Sequence, residues 1–256
     1  MTIRPPMTRF VVTLSGRSNL RLPKQVTIGE AVIQPWEEGL QTMMFVEADD
    51  FDGAERAAWL WGRALGNAIA LVTFHSVDFS IKESIEVPEP GAETYGSRFH
   101  TPTIIRPLEV PVMEEELLKA GGLLQGIQAH ESDTDPWKRA MSWYVRGIKD
   151  QDLTDKFMDY WISLETLSKL YDGPVEPITC HNCGQVTNAR PDGRVVMAFL
   201  DDLKVNVPAN LLKLLTKIRG PLFHDARAMK EAEAIQPVLK GVLSECLVKT
   251  LQRPPM

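Results

Sequence analysis

A chain of 256 residues with 44% apolar and 24% charged composition is long enough for two ordinary domains and too apolar to be disordered. Its formal net charge of −6 excludes a protein that coats long nucleic acid through a broad basic surface, while leaving room for a local site. With no apolar run of about 18 residues and no secretory pattern at the N-terminus, a cytoplasmic location without a membrane partner is expected, and an odd count of three cysteines does not build a disulfide framework.

Arg9 to Leu14, RFVVTL, is apolar and β-branched and reads as a strand ended by Ser15-Gly16; Met43 to Ala48 reads as a second. Asp49-Asp50-Phe51-Asp52-Gly53 supplies helix-start chemistry for an alanine-rich helix over Ala54 to Val72, and Phe74 to Val87 alternates like a strand. This order predicts an N-terminal α+β domain, residues 1–130, whose sheet is covered by one long helix. Gly62 and Gly66 inside that helix point to close packing against the sheet. His75 and His100 have no partner ligands at metal spacing. Trp36, Trp59 and Trp61 read as core residues and not as a base-stacking platform, because no basic residue is interleaved with them along a strand.

Val87 to Val112 holds five prolines and two glycines and reads as extended connections, followed by a helix from Val112 to about His130. The acidic stretch 131–135 marks a boundary, after which residues 131–256 are expected to form an all-α bundle. Asp135-Pro136 is a helix start, with the carboxylate capping free N–H groups and proline at the first helical position, and the helix should run to Lys149 with Trp137, Met141, Tyr144, Val145 and Ile148 on one face. A second helix, Asp152 to Tyr171, places Leu153, Phe157, Tyr160, Trp161, Leu164, Leu167, Ser168 and Tyr171 in one stripe with Glu165 at its edge. Gly173-Pro174 stops it. Cys180-x-x-Cys183 then has the shape of half a zinc knuckle, but four ligands close a zinc site and the only other cysteine, Cys246, sits in an apolar helical stripe, so a metal-free loop insertion is expected. Arg194 to Val205 is a further helix, and Glu231 to Leu251 carries a long periodic stripe that suits a bundle or a partner chain.

The stretch Leu211 to Arg227, LLKLLTKIRGPLFHDAR, carries the candidate chemistry. Pro221 lacks a donor and pushes Gly220 out of helical geometry, so a helix from Leu211 should end near Arg219 and a new one begin at Pro221, with His224 in or beside its first turn. A helix start favours anions through its free N–H groups. Residues 204 to 230 hold six basic side chains against the single acid Asp225, so the segment is locally positive and Lys213, Lys217 and Arg227 are candidate RNA contacts. The first 24 residues are also basic, which a solvated face explains.

Arg219, four residues, then His224 after an apolar helix, together with the upstream Tyr160-Trp161-Ile162-Ser163-Leu164-Glu165, resembles the helical module of the HEPN superfamily, in the branch with a separate N-terminal domain. The resemblance covers about half of the chain, from Ser132 to Leu251. It implies a metal-independent endoribonuclease without cofactor, in which the Arg219 and His224 of two subunits share a cleft in a homodimer. It also suggests a toxin or phage-defence setting with an antitoxin or other protein partner. Glu165 would orient Arg219 in such a site; its plainer role is a surface carboxylate whose stem covers the core rim. Two positions depart from the family pattern: Gly220, where a polar residue is usual, and Asp225, where a small one is usual. These departures keep open a catalytically silent module that binds RNA or protein.

Overall fold

The computed structural model describes residues 7–37, 39–88, 96–100, 110–130, 132, 135–170, 176–179, 186–189, 192–208, 211, 215 and 229–252. The chain is α+β and divides into two compact units, Met1–Ala129 and His130–Met256.

The first unit is built on a six-stranded antiparallel sheet in the order β3-β4-β5-β1-β6-β7. Its strands are β1 (Thr8–Arg17), β3 (Val26–Ile28), β4 (Ala31–Trp36), β5 (Gly39–Ala48), β6 (Asp78–Glu86) and β7 (Ser97–Phe99), while β2 (Leu20–Arg21) and β8 (Val110–Pro111) form a short parallel pair. The period of two in β1 explains its central place: Phe10, Val12 and Leu14 are buried with Val46 of β5 against Ala54 and Ala58 of helix α1 (Phe51–Thr73). Asp50 caps α1 by accepting from the Gly53 N–H at 2.7 Å. Ser15-Gly16 does not end β1 as expected. Both continue the ladder, and Gly16 is needed there because an added Cβ would lie 2.5 Å from the Phe79 ring. Strand β6 begins at Asp78 and not at Phe74, since Phe74 caps α1 in the left-handed region at φ 59°. Helix α2 (Glu114–Gln128) packs on α1 and β3.

In the second unit, helices α3 (Pro136–Lys149), α4 (Leu153–Ser168), α5 (Asp192–Asp202) and α6 (Met229–Leu251) are present, but the unit is not all-α among its described residues. Strands β9 (Glu176–Thr179) and β10 (Val186–Ala189) pair antiparallel and bracket the Cys180-x-x-Cys183 stretch. That segment contains Ile178, Thr179, Val186 and Thr187, β-branched residues that favour the pleated backbone over a helix. The Asp135 carboxylate caps α3 by accepting from Trp137 N at 2.7 Å, with Pro136 opening the helix.

Helices α3 and α4 cross-link through buried polar atoms as well as apolar ones. Ser163 Oγ donates to the Ala140 carbonyl at 2.6 Å, and Trp137 Nε1 donates to the Leu247 carbonyl of α6 at 3.1 Å. Phe157, Tyr160, Trp161, Leu164, Leu167 and Ser168 of the predicted stripe are buried, whereas Leu153, in the first turn of α4, is largely exposed. The α6 stripe, Ile235, Leu239, Val242, Leu243, Cys246 and Leu247, is covered within the chain, where α6 packs on α4 and α3; Val238 falls on its exposed side.

Gly66 of α1 sits so close to the sheet that a Cβ there would lie 2.5 Å from the Val77 carbonyl oxygen, a backbone atom that cannot rotate away. Gly66→Ala should therefore destabilise the first unit by about 1–3 kcal/mol, read as a lower melting temperature by calorimetry. An unchanged melting temperature would show that the helix can lift from the sheet without cost.

Candidate functional site

Arg219, Gly220, His224 and Asp225 lie outside the described residues, as do Lys213, Lys217, Arg227, Cys180 and Cys183. Of the helix expected upstream of the motif, Leu211 and Leu215 are described; both are helical and buried one turn apart, and Leu211 N donates to the Pro208 carbonyl at 2.8 Å. Glu165 is half-buried on α4 between the buried Leu164 and Thr166, with its Oε1 shielded from solvent. Cys246 is a buried free thiol whose titration burial pushes up to about 12, the opposite of the thiolate a zinc ion requires. Among the described residues no group of three or more ligands could hold a metal.

A second constellation lies between α3 and α4. Asp159, Ser163 and Thr166 follow one another at helical spacing along α4 and are buried, at 2%, 0% and 9% exposure. Asp159 and Ser163 face the small residues of α3: Ala140 receives the Ser163 hydroxyl, and Gly147 lies so close that an added Cβ would be 2.6 Å from the Tyr160 ring and 3.2 Å from Asp159 Cβ. Small residues on one helix let the other bring a polar row inward, where its donors find backbone acceptors.

Asp159 is the member of this row with a charge. Arg146 Nε of α3 lies 3.2 Å from Asp159 Oδ2 without aligning as a hydrogen bond, so the pair is an ion contact of imperfect geometry. Burial pushes the Asp159 carboxyl up from an ordinary 3.8 to about 6; Arg146 pulls it down, and Asp150 and Asp155 push it up. The guanidinium of Arg146 is exposed and stands 5.0 Å from the Trp143 ring centroid. It borders a hollow of about 510 Å³ also lined by Ser142, Val145, Lys149, Asp150 and Gln151. Sequence reading passed over Arg146 and gave Asp159 no role of its own. The signal it lacked was the pairing of the polar row on α4 with Ala140 and Gly147 on α3, which shows only when the two helices are aligned.

In the first unit the sheet face away from α1 carries aromatic residues with cations beside them. Arg9 stands 4.1 Å from the Phe45 ring and Lys82 5.6 Å from that of Trp36, while Trp59 is exposed on α1. Trp36 is thus a half-exposed partner of a lysine from another strand, and neither it nor Trp59 is a core residue as expected. Along this face Arg9 is opposite Glu47 and Arg17 opposite Asp78 in the strand register, so its charges balance and it presents no net positive field.

Because the folded pKa of Asp159, about 6, exceeds the ordinary 3.8, the native state holds this proton more tightly than the unfolded chain. Its contribution is then greatest below the unfolded value and is lost as pH rises through about 6, leaving a net cost at neutral pH. Asp159→Asn should raise the melting temperature at pH 7.5 and lose that advantage at pH 4. A variant less stable than the parent at pH 7.5 would mean that the Arg146 contact outweighs desolvation.

No family model matches the chain, and no curated protein or solved structure is significantly similar to it.

Proposed function

We propose that this protein is a metal-independent endoribonuclease of the HEPN type, cutting RNA at a composite site to which each of two copies brings Arg219 and His224. The observation that carries the reading is the sequence Arg219-x4-His224 with its Gly220-Pro221 break, in the same unit as α4 with its Tyr160-to-Glu165 segment. The helical part of this unit, apart from the β9–β10 insertion, is read as a HEPN-like bundle. A histidine with an ordinary pKa of about 6.5 takes the proton of a ribose 2′-hydroxyl, which attacks the adjacent phosphorus, or gives a proton to the departing 5′-oxygen. Arginine donates its fork to the negative charge that builds on the phosphorane oxygens. The products are a 2′,3′-cyclic phosphate and a free 5′-hydroxyl, and DNA resists for want of the 2′-hydroxyl. Lys213, Lys217 and Arg227 supply further contacts to the RNA backbone. A shared cleft calls for a homodimer; the α6 stripe, covered within one chain apart from Val238, does not itself argue for one. A toxin or phage-defence role with an antitoxin or other protein partner follows from the same resemblance.

Gly220 and Asp225 favour a second reading, a catalytically silent module that binds RNA or protein: glycine removes a polar group beside Arg219, and Asp225 places a negative charge beside the histidine.

The two readings part in one assay. The nuclease cuts single-stranded RNA or tRNA with chelator present, with a bell-shaped pH profile and cyclic-phosphate ends, and His224→Ala or Arg219→Ala each lowers the rate by roughly 100-fold or more while the melting temperature holds. Intact RNA after prolonged incubation, or cutting that survives His224→Ala, rejects the nuclease. Light scattering at tens of micromolar checks the dimer, and a monomer removes the shared cleft.

A further inference from the structure

Arg146 differs from an ordinary surface arginine in what holds it. Its Nε edge faces the buried Asp159 carboxylate at 3.2 Å and its plane lies beside Trp143, 5.0 Å from the ring centroid. Among the described residues its guanidinium has no other partner, and Arg146 lines the hollow at the C-terminal end of α3. A guanidinium steadied on one edge and one face presents the rest of its planar fork with little rotamer freedom left to lose, which suits two parallel hydrogen bonds to a phosphate. Lys149 brings a second cation to the same hollow and Gln151 two amide donors; Asp150, on its rim, works against an anion.

The buried carboxylate is what calls for a function. An aspartate 2% exposed, whose only described cation reaches it with poor alignment, is a costly way to join two helices that Ser163 and the seat of Tyr160 on Gly147 already join. Asparagine would fill the same space without a charge to desolvate. Burial accordingly favours the protonated form of Asp159, so the ion pair is kept against the local preference.

We propose that Arg146, positioned by Asp159 and Trp143 and assisted by Lys149, is a phosphodiester-binding subsite for RNA on the second unit. This rests on the RNA reading of that unit but not on cleavage by Arg219 and His224.

The test is equilibrium binding of the full-length protein to a fluorescein-labelled 2′-O-methyl RNA 12-mer, which cannot be cut by a 2′-hydroxyl mechanism, over a range of salt concentrations. Arg146→Ala should raise Kd roughly tenfold and reduce the salt slope by about 1, whereas Arg146→Lys should restore the slope without the full affinity. Since Arg146→Ala leaves Asp159 buried and uncompensated, the double variant Arg146→Ala with Asp159→Asn is measured as well and should show the same weakening in a protein at least as stable as the parent. Asp159→Asn alone is the decisive variant. It makes the hollow more positive, so simple electrostatics predicts tighter binding, whereas positioning predicts binding several-fold weaker.

Unchanged or tighter binding by Asp159→Asn overturns the positioning role, and unchanged binding by the double variant overturns the subsite. Calorimetry with inorganic phosphate separates the sources of the anion. Heat that depends on Arg146, from a protein that does not bind the 12-mer, overturns RNA as the ligand. Arg146-dependent binding in a protein that leaves cleavable RNA intact supports the subsite and rejects the nuclease. Conversely, a nuclease whose KM is unmoved in the double variant stands while the subsite falls.

Discussion

The close antiparallel contact of α3 with α4 is the constraint on which the second unit depends. It exists because α3 presents Ala140 and Gly147 where a larger side chain would hold the helices apart: at Gly147 even a methyl group would meet the Tyr160 ring at 2.6 Å. Once the backbones are close, the Ala140 carbonyl is within reach of Ser163 Oγ, and Tyr144 and Tyr160 pack with ring centroids 5.8 Å apart. Both phenols are pushed up by burial, and each is partly compensated by a hydrogen-bond partner on α6, Ser244 for Tyr144 and Gln236 for Tyr160. The Trp137 indole, reaching the Leu247 carbonyl, ties the start of α3 to the end of α6. The core is therefore cross-linked by donors with identified acceptors, which specifies one helix register where apolar packing alone would tolerate several.

The same closeness brings Asp159 inside. A carboxylate on that row of α4 is almost wholly withdrawn from water, and Arg146 reaches it from the exposed edge of α3. The arrangement joins a stability cost to a pre-positioned cation, a combination common where binding has to be prepared in advance. Ser163 and Thr166, on the same row, are neutral and carry no such cost.

In the first unit the corresponding constraint is the seat of α1 on the sheet. Gly62 comes against Leu14 and Phe79, and Gly66 against the Val77 carbonyl, so one helix covers β1 and its neighbours on a single face. The other face keeps aromatic residues with cations beside them, but its opposed charges pair along the register.

Much of the architecture was legible from local chemistry. The Asp50 and Asp135 caps, Pro136 at the start of α3, the glycine pair of α1 and the apolar stripes of α4 and α6 are signals contained within a few residues, because capping and periodicity are properties of the chain itself. The Arg219-x4-His224 spacing and the Gly220-Pro221 pair are likewise features of the sequence itself, but they lie outside the described residues. Strands β3 and β4 and the β9–β10 hairpin were not legible, since short strands have little periodicity of their own and are defined by their partners. Nor did the sequence show that Lys82 stands beside Trp36, because cations and rings interleave here across strands and not along them. The sequence by itself determined where helices begin, which faces are apolar and which two side chains make the candidate motif. Only the tertiary structure decided that the polar row of Asp159, Ser163 and Thr166 points inward, because burial there depends on how near Ala140 and Gly147 let another helix come.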